Sequence, residues 1–139
     1  TATMSIVENP AAEYDSASEL LAADAVQRSW LPTFIPASAS RITHVHNLDT
    51  SEAWTAFSVP VGVVDSLKAK LSAVPLSEVR QYGVGTSWRM RDWPPELDTH
   101  LLITPRASFS TYRGPTPNSC VAIDDKSNRV YVWSCHSAS

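Results

Sequence analysis

The run Cys120-Val121-Ala122-Ile123-Asp124-Asp125-Lys126-Ser127-Asn128-Arg129-Val130-Tyr131-Val132-Trp133-Ser134-Cys135 decides how this chain is read. Two apolar, β-branched segments flank a polar patch, the pattern of a β-hairpin. With Lys126-Ser127-Asn128-Arg129 as the loop, Asn128 supplies a residue that tolerates left-handed backbone. Asp125 then faces Val130, Ile123 faces Val132, and Cys120 falls opposite Cys135. Opposed cysteines in a non-hydrogen-bonded pair lie close enough to bridge. Closing a loop of about fifteen residues would stabilise the fold by about 3 kcal/mol on the chain-entropy argument. The alternative is two unrelated buried thiols, and a bulge in the turn would shift the register. The bridge implies an oxidising compartment, periplasmic or extracellular.

Working outward, Leu101–Thr104 and Ser108–Arg113 read as further strands. Arg41–Leu48 and Glu52–Val59 form a second hairpin about Asp49-Thr50-Ser51, with Ala53, Thr55, Phe57 and Val59 on one face and Trp54, Ala56 and Ser58 on the other. Val63, Leu67 and Leu71 recur at helical spacing, which predicts an amphipathic helix near 63–72 lying on a sheet. An earlier helix starts at Asp15 or Ser16, where Ser16 and Glu19 have capping-box spacing, and stops near Ser29 before Leu31-Pro32. Residues 1–13 read as an extended arm. The expected fold class is therefore α+β: an antiparallel sheet with about two helices packed on one face and a disulfide-closed C-terminal hairpin.

A chain of 139 residues is one domain's worth, here 1–139, and 43% hydrophobic content is enough to build a core. Eleven scattered basic residues and a net charge of −3 argue against a nucleic-acid partner. No run of apolar residues is long enough to span a membrane. A start at Thr1 rather than Met is the pattern expected after removal of a leader or tag, as it would be of a trimmed chain, and an upstream lipid anchor stays open.

Catalytic motifs are missing: there is no nucleophile elbow, no zinc-protease helix and no phosphate loop. No cofactor is expected. His44 and His46, two apart on a strand, share a face as metal ligands must, but need a third ligand from Asp49, His100 or His136, so no metal site is expected and they are read as half-buried sheet residues. Trp88 and Trp93, with Glu96 and Asp98 beside the Trp93-Pro94-Pro95 corner and Asp124 and Asp125 before the last turn, form the candidate partner-binding surface. The competing reading tucks both rings onto the sheet and makes the acidic residues plain turn caps.

Trp30-Leu31-Pro32, Ile35-Pro36-Ala37-Ser38-Ala39-Ser40-Arg41-Ile42, Asn47-Leu48-Asp49-Thr50 and Trp54-Thr55-Ala56-Phe57, with Ala122-Ile123-Asp124 and Val130-Tyr131-Val132-Trp133, resemble a group of small uncharacterised exported proteins and lipoproteins of Gram-negative bacteria. The resemblance covers about half the chain, implies export and a small α+β fold, and carries no catalytic residues to transfer. In size and compartment alone the chain is also similar to periplasmic toxin-immunity proteins. The expected function is a non-enzymatic periplasmic binding protein with a protein partner, an inhibitor or immunity protein that blocks a secreted toxin or an envelope-degrading enzyme. The alternative is a small-ligand-binding or cell-envelope accessory domain, with a pocket in the Gly83–Thr99 segment.

Overall fold

In the computed structural model the described residues are 11–22, 34–47, 52–75, 93–94, 97, 109–114 and 119–134. They form β1 (Ala11–Ser16), α1 (Ala17–Leu21), β2 (Ser40–Asn47), β3 (Glu52–Ser58), α2 (Val61–Lys68), β4 (Ser72–Ala73), β5 (Phe109–Arg113), β6 (Ser119–Asp124) and β7 (Arg129–Ser134). All seven strands join one antiparallel sheet in the order β1-β2-β3-β7-β6-β5-β4. Two meanders, β1–β3 and β4–β7, are thus fused along the β3–β7 seam, and the last described strand becomes an interior one. Trp54 faces Trp133 and Phe57 faces Val130 across that seam.

The architecture is mainly β and corrects the expected α+β class. The helices have five and eight residues. They are too short to form a layer of their own, because helices of this length are marginal without tertiary contacts. α2 persists through Val64 and Leu67, both buried against the sheet. Burying each contributes about 1.5–3 kcal/mol.

Both faces of the sheet are covered, which explains why β6 and β7 read as almost unbroken apolar runs. One face packs Ile42, Phe57, Val121, Ile123, Val130 and Val132 beneath α2 and the Phe34–Ile35 stretch. The other packs Val45, Trp54, Ala56, Cys120, Tyr131 and Trp133 against Trp93 and Leu97. Alternation within β3 follows the sequence reading, with Thr55 and Phe57 buried on the first side and Trp54 and Ala56 on the second.

The β6–β7 hairpin is present in a different register. Its loop is Asp125–Asn128, with Asp124 facing Arg129, so Cys120 faces Trp133 instead of Cys135. The turn closes through Asn128 N–H donating to the Asp124 carbonyl at 2.8 Å and Lys126 N–H donating to the Asp124 carboxylate at 3.1 Å. Asp124 acts as the turn's side-chain cap, which sets the loop one residue earlier than expected at each end. Asn128 takes the anticipated left-handed conformation at φ 57°. Cys120 and Cys135 are therefore not directly opposed in the ladder, and the register argument for pairing them is withdrawn. Cys120 is buried and is not a free thiol. Cys135 lies outside the described residues.

Three boundaries also move. Residues 11–13, expected in the extended arm, belong to β1 and pair with Thr43–Val45. α1 begins where the capping signal places it: Ser16 Oγ accepts from Glu19 N–H at 3.4 Å and the Glu19 carboxylate accepts from Asp15 N–H at 2.5 Å. α1 ends at Leu21, and residues 23–33 lie outside the described set. α2 starts two residues before Val63, directly after Pro60, whose fixed φ of −62° sets the entry.

A bulge in β2 shifts its pairing with β3 between Ser40 and Thr43, with Arg41 at φ 49°. Such kinks leave a backbone group outside the ladder. Here the Arg41 carbonyl accepts from the Arg129 guanidinium at 2.6 Å, and the same Nη1 donates to Ser58 Oγ at 3.1 Å.

Candidate functional site

A groove of about 520 Å³ opens between Phe34–Ser38 on one side and Val63, Ser66, Leu67 and Lys70 on the other. That volume lies within the range of small-molecule pockets. The four α2-side residues are spaced i, i+3, i+4, i+7, so they share one stripe of the helix and the turn that ends it. Phe34, Ile35 and Val63 are partly buried against the core and, with Leu67, give the groove an apolar floor. Ser38, Ser66 and Lys70 supply its polar atoms.

Each wall is fixed by backbone bonds. Ala39 N–H donates to the Pro36 carbonyl at 3.0 Å, and Ala17 N–H to the Ala39 carbonyl at 3.2 Å, which ties the first wall to α1. On the second wall, Lys70 and Leu71 N–H close tight turns onto the Leu67 and Lys68 carbonyls, each at 3.1 Å. The β6–β7 turn holds α2 at both ends. Val59 N–H donates to the Asn128 carbonyl at 3.1 Å just before the helix, and Lys68 at its end pairs with Asp125 at 2.7 Å. Ser110 Oγ donates to the other Asp125 oxygen at 3.1 Å. The hydrogen bond that Lys68 donates to Asp125 raises the Lys68 pKa above its ordinary value, because it holds the proton in place.

The residues expected to form a partner surface are thereby distributed differently. Asp125 latches α2, and Asp124 is buried and caps its turn. Trp93 and Pro94, read as either an exposed contact corner or a segment tucked onto the sheet, are buried. Trp93 meets Tyr131 edge-to-face at 5.5 Å and Trp133 at 5.8 Å. Among the described residues the buried Nε1 atoms of Trp93 and Trp133 have no hydrogen-bond partner, a cost of about 1–3 kcal/mol each that the aromatic packing has to offset. Trp88, Glu96 and Asp98 lie outside the described residues, as does most of Gly83–Thr99, where a pocket was expected.

His44 is buried, with Nδ1 at 2.8 Å from Thr55 Oγ1 on the neighbouring strand. The side chain of His46 lies outside the described set. Among the described residues no group of three or more His, Cys, Asp or Glu is placed to hold a metal ion. No described helix is long and apolar enough to cross a membrane. The sequence reading missed the groove and Arg129. Val63 and Leu67 were legible as one helical stripe, but nothing in the sequence placed Phe34–Ser38 against it.

Residues 8–58 match the family model of the YbbD head domain. The match covers less than half of the chain and runs through the first meander, so it includes Phe34–Ser38 and stops at the end of β3, before α2 and the second meander. This part of the chain is similar to YbbD head domains. No curated protein and no solved structure matches the chain.

Proposed function

We propose that this chain is a non-enzymatic, extracytoplasmic binding domain whose ligand site is the groove between α2 and Phe34–Ser38. The observation that carries the reading is the groove itself: about 520 Å³, apolar along its floor, with both walls held by backbone hydrogen bonds. A pre-formed apolar pocket with a few polar atoms is the usual form of a small-ligand site. Among the described residues no hydrogen bond joins the Ser38 or Ser66 hydroxyl to Lys70, a carboxylate or an imidazole, the contact by which a serine nucleophile is activated. The extracytoplasmic location comes from the resemblance to exported proteins, and the YbbD head similarity leaves it open.

The small-ligand reading is favoured over an inhibitor that blocks a toxin or envelope-degrading enzyme. That alternative relied on exposed aromatic anchors beside free acidic turns, whereas Trp93 is in the core and Asp125 is bound to Lys68 and Ser110. The test uses the neutral fluorophore N-phenylnaphthylamine. Its emission should rise on binding the native protein and fail to rise with Ser66→Trp or Ala37→Trp, each of which places an indole in the groove. Both positions are exposed, so the variants should keep the native circular dichroism spectrum. Equal enhancement in the parent and both variants would overturn the assignment of the groove. Turnover of an ester, phosphate or peptidoglycan substrate by the purified chain would overturn the non-enzymatic part.

A further inference from the structure

We propose that the groove takes a single-chain amphiphile with an anionic head, an unesterified fatty acid, whose tail lies on Phe34, Ile35, Val63 and Leu67 and whose carboxylate pairs with Lys70. This rests on the groove being the ligand site and adds the chemistry of the ligand.

Lys70 is the charged residue among the described residues that line the groove, in a chain whose net charge is −3. The contrast with Lys68 is informative. Two residues away, Lys68 is neutralised by Asp125, while Lys70 has no ion-pair or side-chain hydrogen-bond partner among the described residues. A cation at the edge of an apolar floor selects for an anion joined to an apolar body. The two hydroxyls, Ser38 and Ser66, can each donate to a carboxylate oxygen.

One ammonium and two hydroxyls suit a monoanion. A phosphate dianion is usually met by more than one cation or by a forked guanidinium, and among the described residues no arginine lines the groove. The end of α2 would repel an anion through its exposed carbonyls. Here the Asp65, Leu67 and Lys68 carbonyls are taken by the Ala69, Lys70 and Leu71 amides, which removes most of that repulsion. The floor is continuous with the core cluster, since Leu67 is itself buried there, so an alkyl chain would meet packed side chains along its length.

The experiment compares laurate with lauryl alcohol in displacing N-phenylnaphthylamine from the native chain. Both have the same tail, so the head group alone separates them. Laurate should displace the probe at about fivefold lower concentration, the order expected for a charge-assisted contact at a partly exposed site. Lys70→Gln should abolish that preference, laurate and the alcohol then displacing the probe at equal concentrations within the variant, a result that a structural role for Lys70 would not produce. If the alcohol competes as well as laurate while the probe still requires an open groove, the fatty-acid proposal fails and the groove assignment stands. Retention of the laurate preference in Lys70→Gln would also overturn it. If the probe does not bind the native chain at all, both readings fall together.

Discussion

Replacing Arg129 by Met tests whether a buried guanidinium holds the β2 bulge in place. Arg129 is only 5% exposed and stands opposite the equally buried Asp124. Its Nη1 donates to the Arg41 carbonyl at 2.6 Å and to Ser58 Oγ at 3.1 Å, reaching from β7 across β3 to β2. Methionine preserves much of the stem's packing but removes both bonds. A hydrogen bond from a charged donor contributes about 1.5–3 kcal/mol, and a carbonyl left without a donor costs about 1–3 kcal/mol when buried, with the low end applying to the part-buried Arg41 bond. These overlap, since the second is largely the loss of the first, and Arg129 carried its own desolvation penalty. The net expectation is a loss of about 2–4 kcal/mol. At about 3 °C per kcal/mol for a chain of this size, the melting temperature should fall by about 6–12 °C. Urea unfolding should give the same loss through the midpoint with an unchanged slope. Ser58→Ala alone should cost no more than about 1 kcal/mol, because Arg129 keeps its shorter contact. A melting temperature for Arg129→Met within about 2 °C of the parent would refute the reasoning, since the bulge carbonyl would then need no donor.

The Lys68–Asp125 latch should be weak: both side chains are part-exposed, so Asp125→Asn should cost no more than about 1 kcal/mol, with the difference shrinking in high salt. Because the folded-state pKa of Lys68 is raised, its contribution is complete below the ordinary lysine value near about 10.4 and is lost as pH rises through the raised value, so alkaline urea titrations of parent and Asp125→Asn should converge. Thr55→Val keeps the volume but removes the oxygen that meets His44 Nδ1, and should lower stability by about 1–2 kcal/mol in urea; equal midpoints would show that the bond contributes nothing net. Gly114→Ala should destabilise, because a Cβ there would lie 2.7 Å from that of Ser119, and a melting temperature at or above the parent's would show that the β5–β6 link can give way.

The β3 strand and the β6–β7 hairpin were legible because apolar alternation and turn chemistry are local. The register of that hairpin was not. Pairing Cys120 with Trp133 or with Cys135 leaves every side chain on the same face, so periodicity could not choose between them. The choice fell to the Asp124 side chain capping the turn. Trp93 was similarly undecided, since the Trp-Pro-Pro segment reads alike exposed or buried. Contact with Tyr131 and Trp133 decided it.

By itself, the sequence determined the strands of both hairpins, the amphipathic stripe of α2 and the capping of α1, because each depends on residues within a few positions of one another. Only the tertiary structure decided that the two meanders fuse along β3 and β7, that the short helices add no layer, and that Phe34–Ser38 comes to face Val63–Lys70. Those pairings join residues far apart along the chain, where neither periodicity nor propensity sets a preference. They are settled by which apolar faces bury each other once the whole sheet has formed.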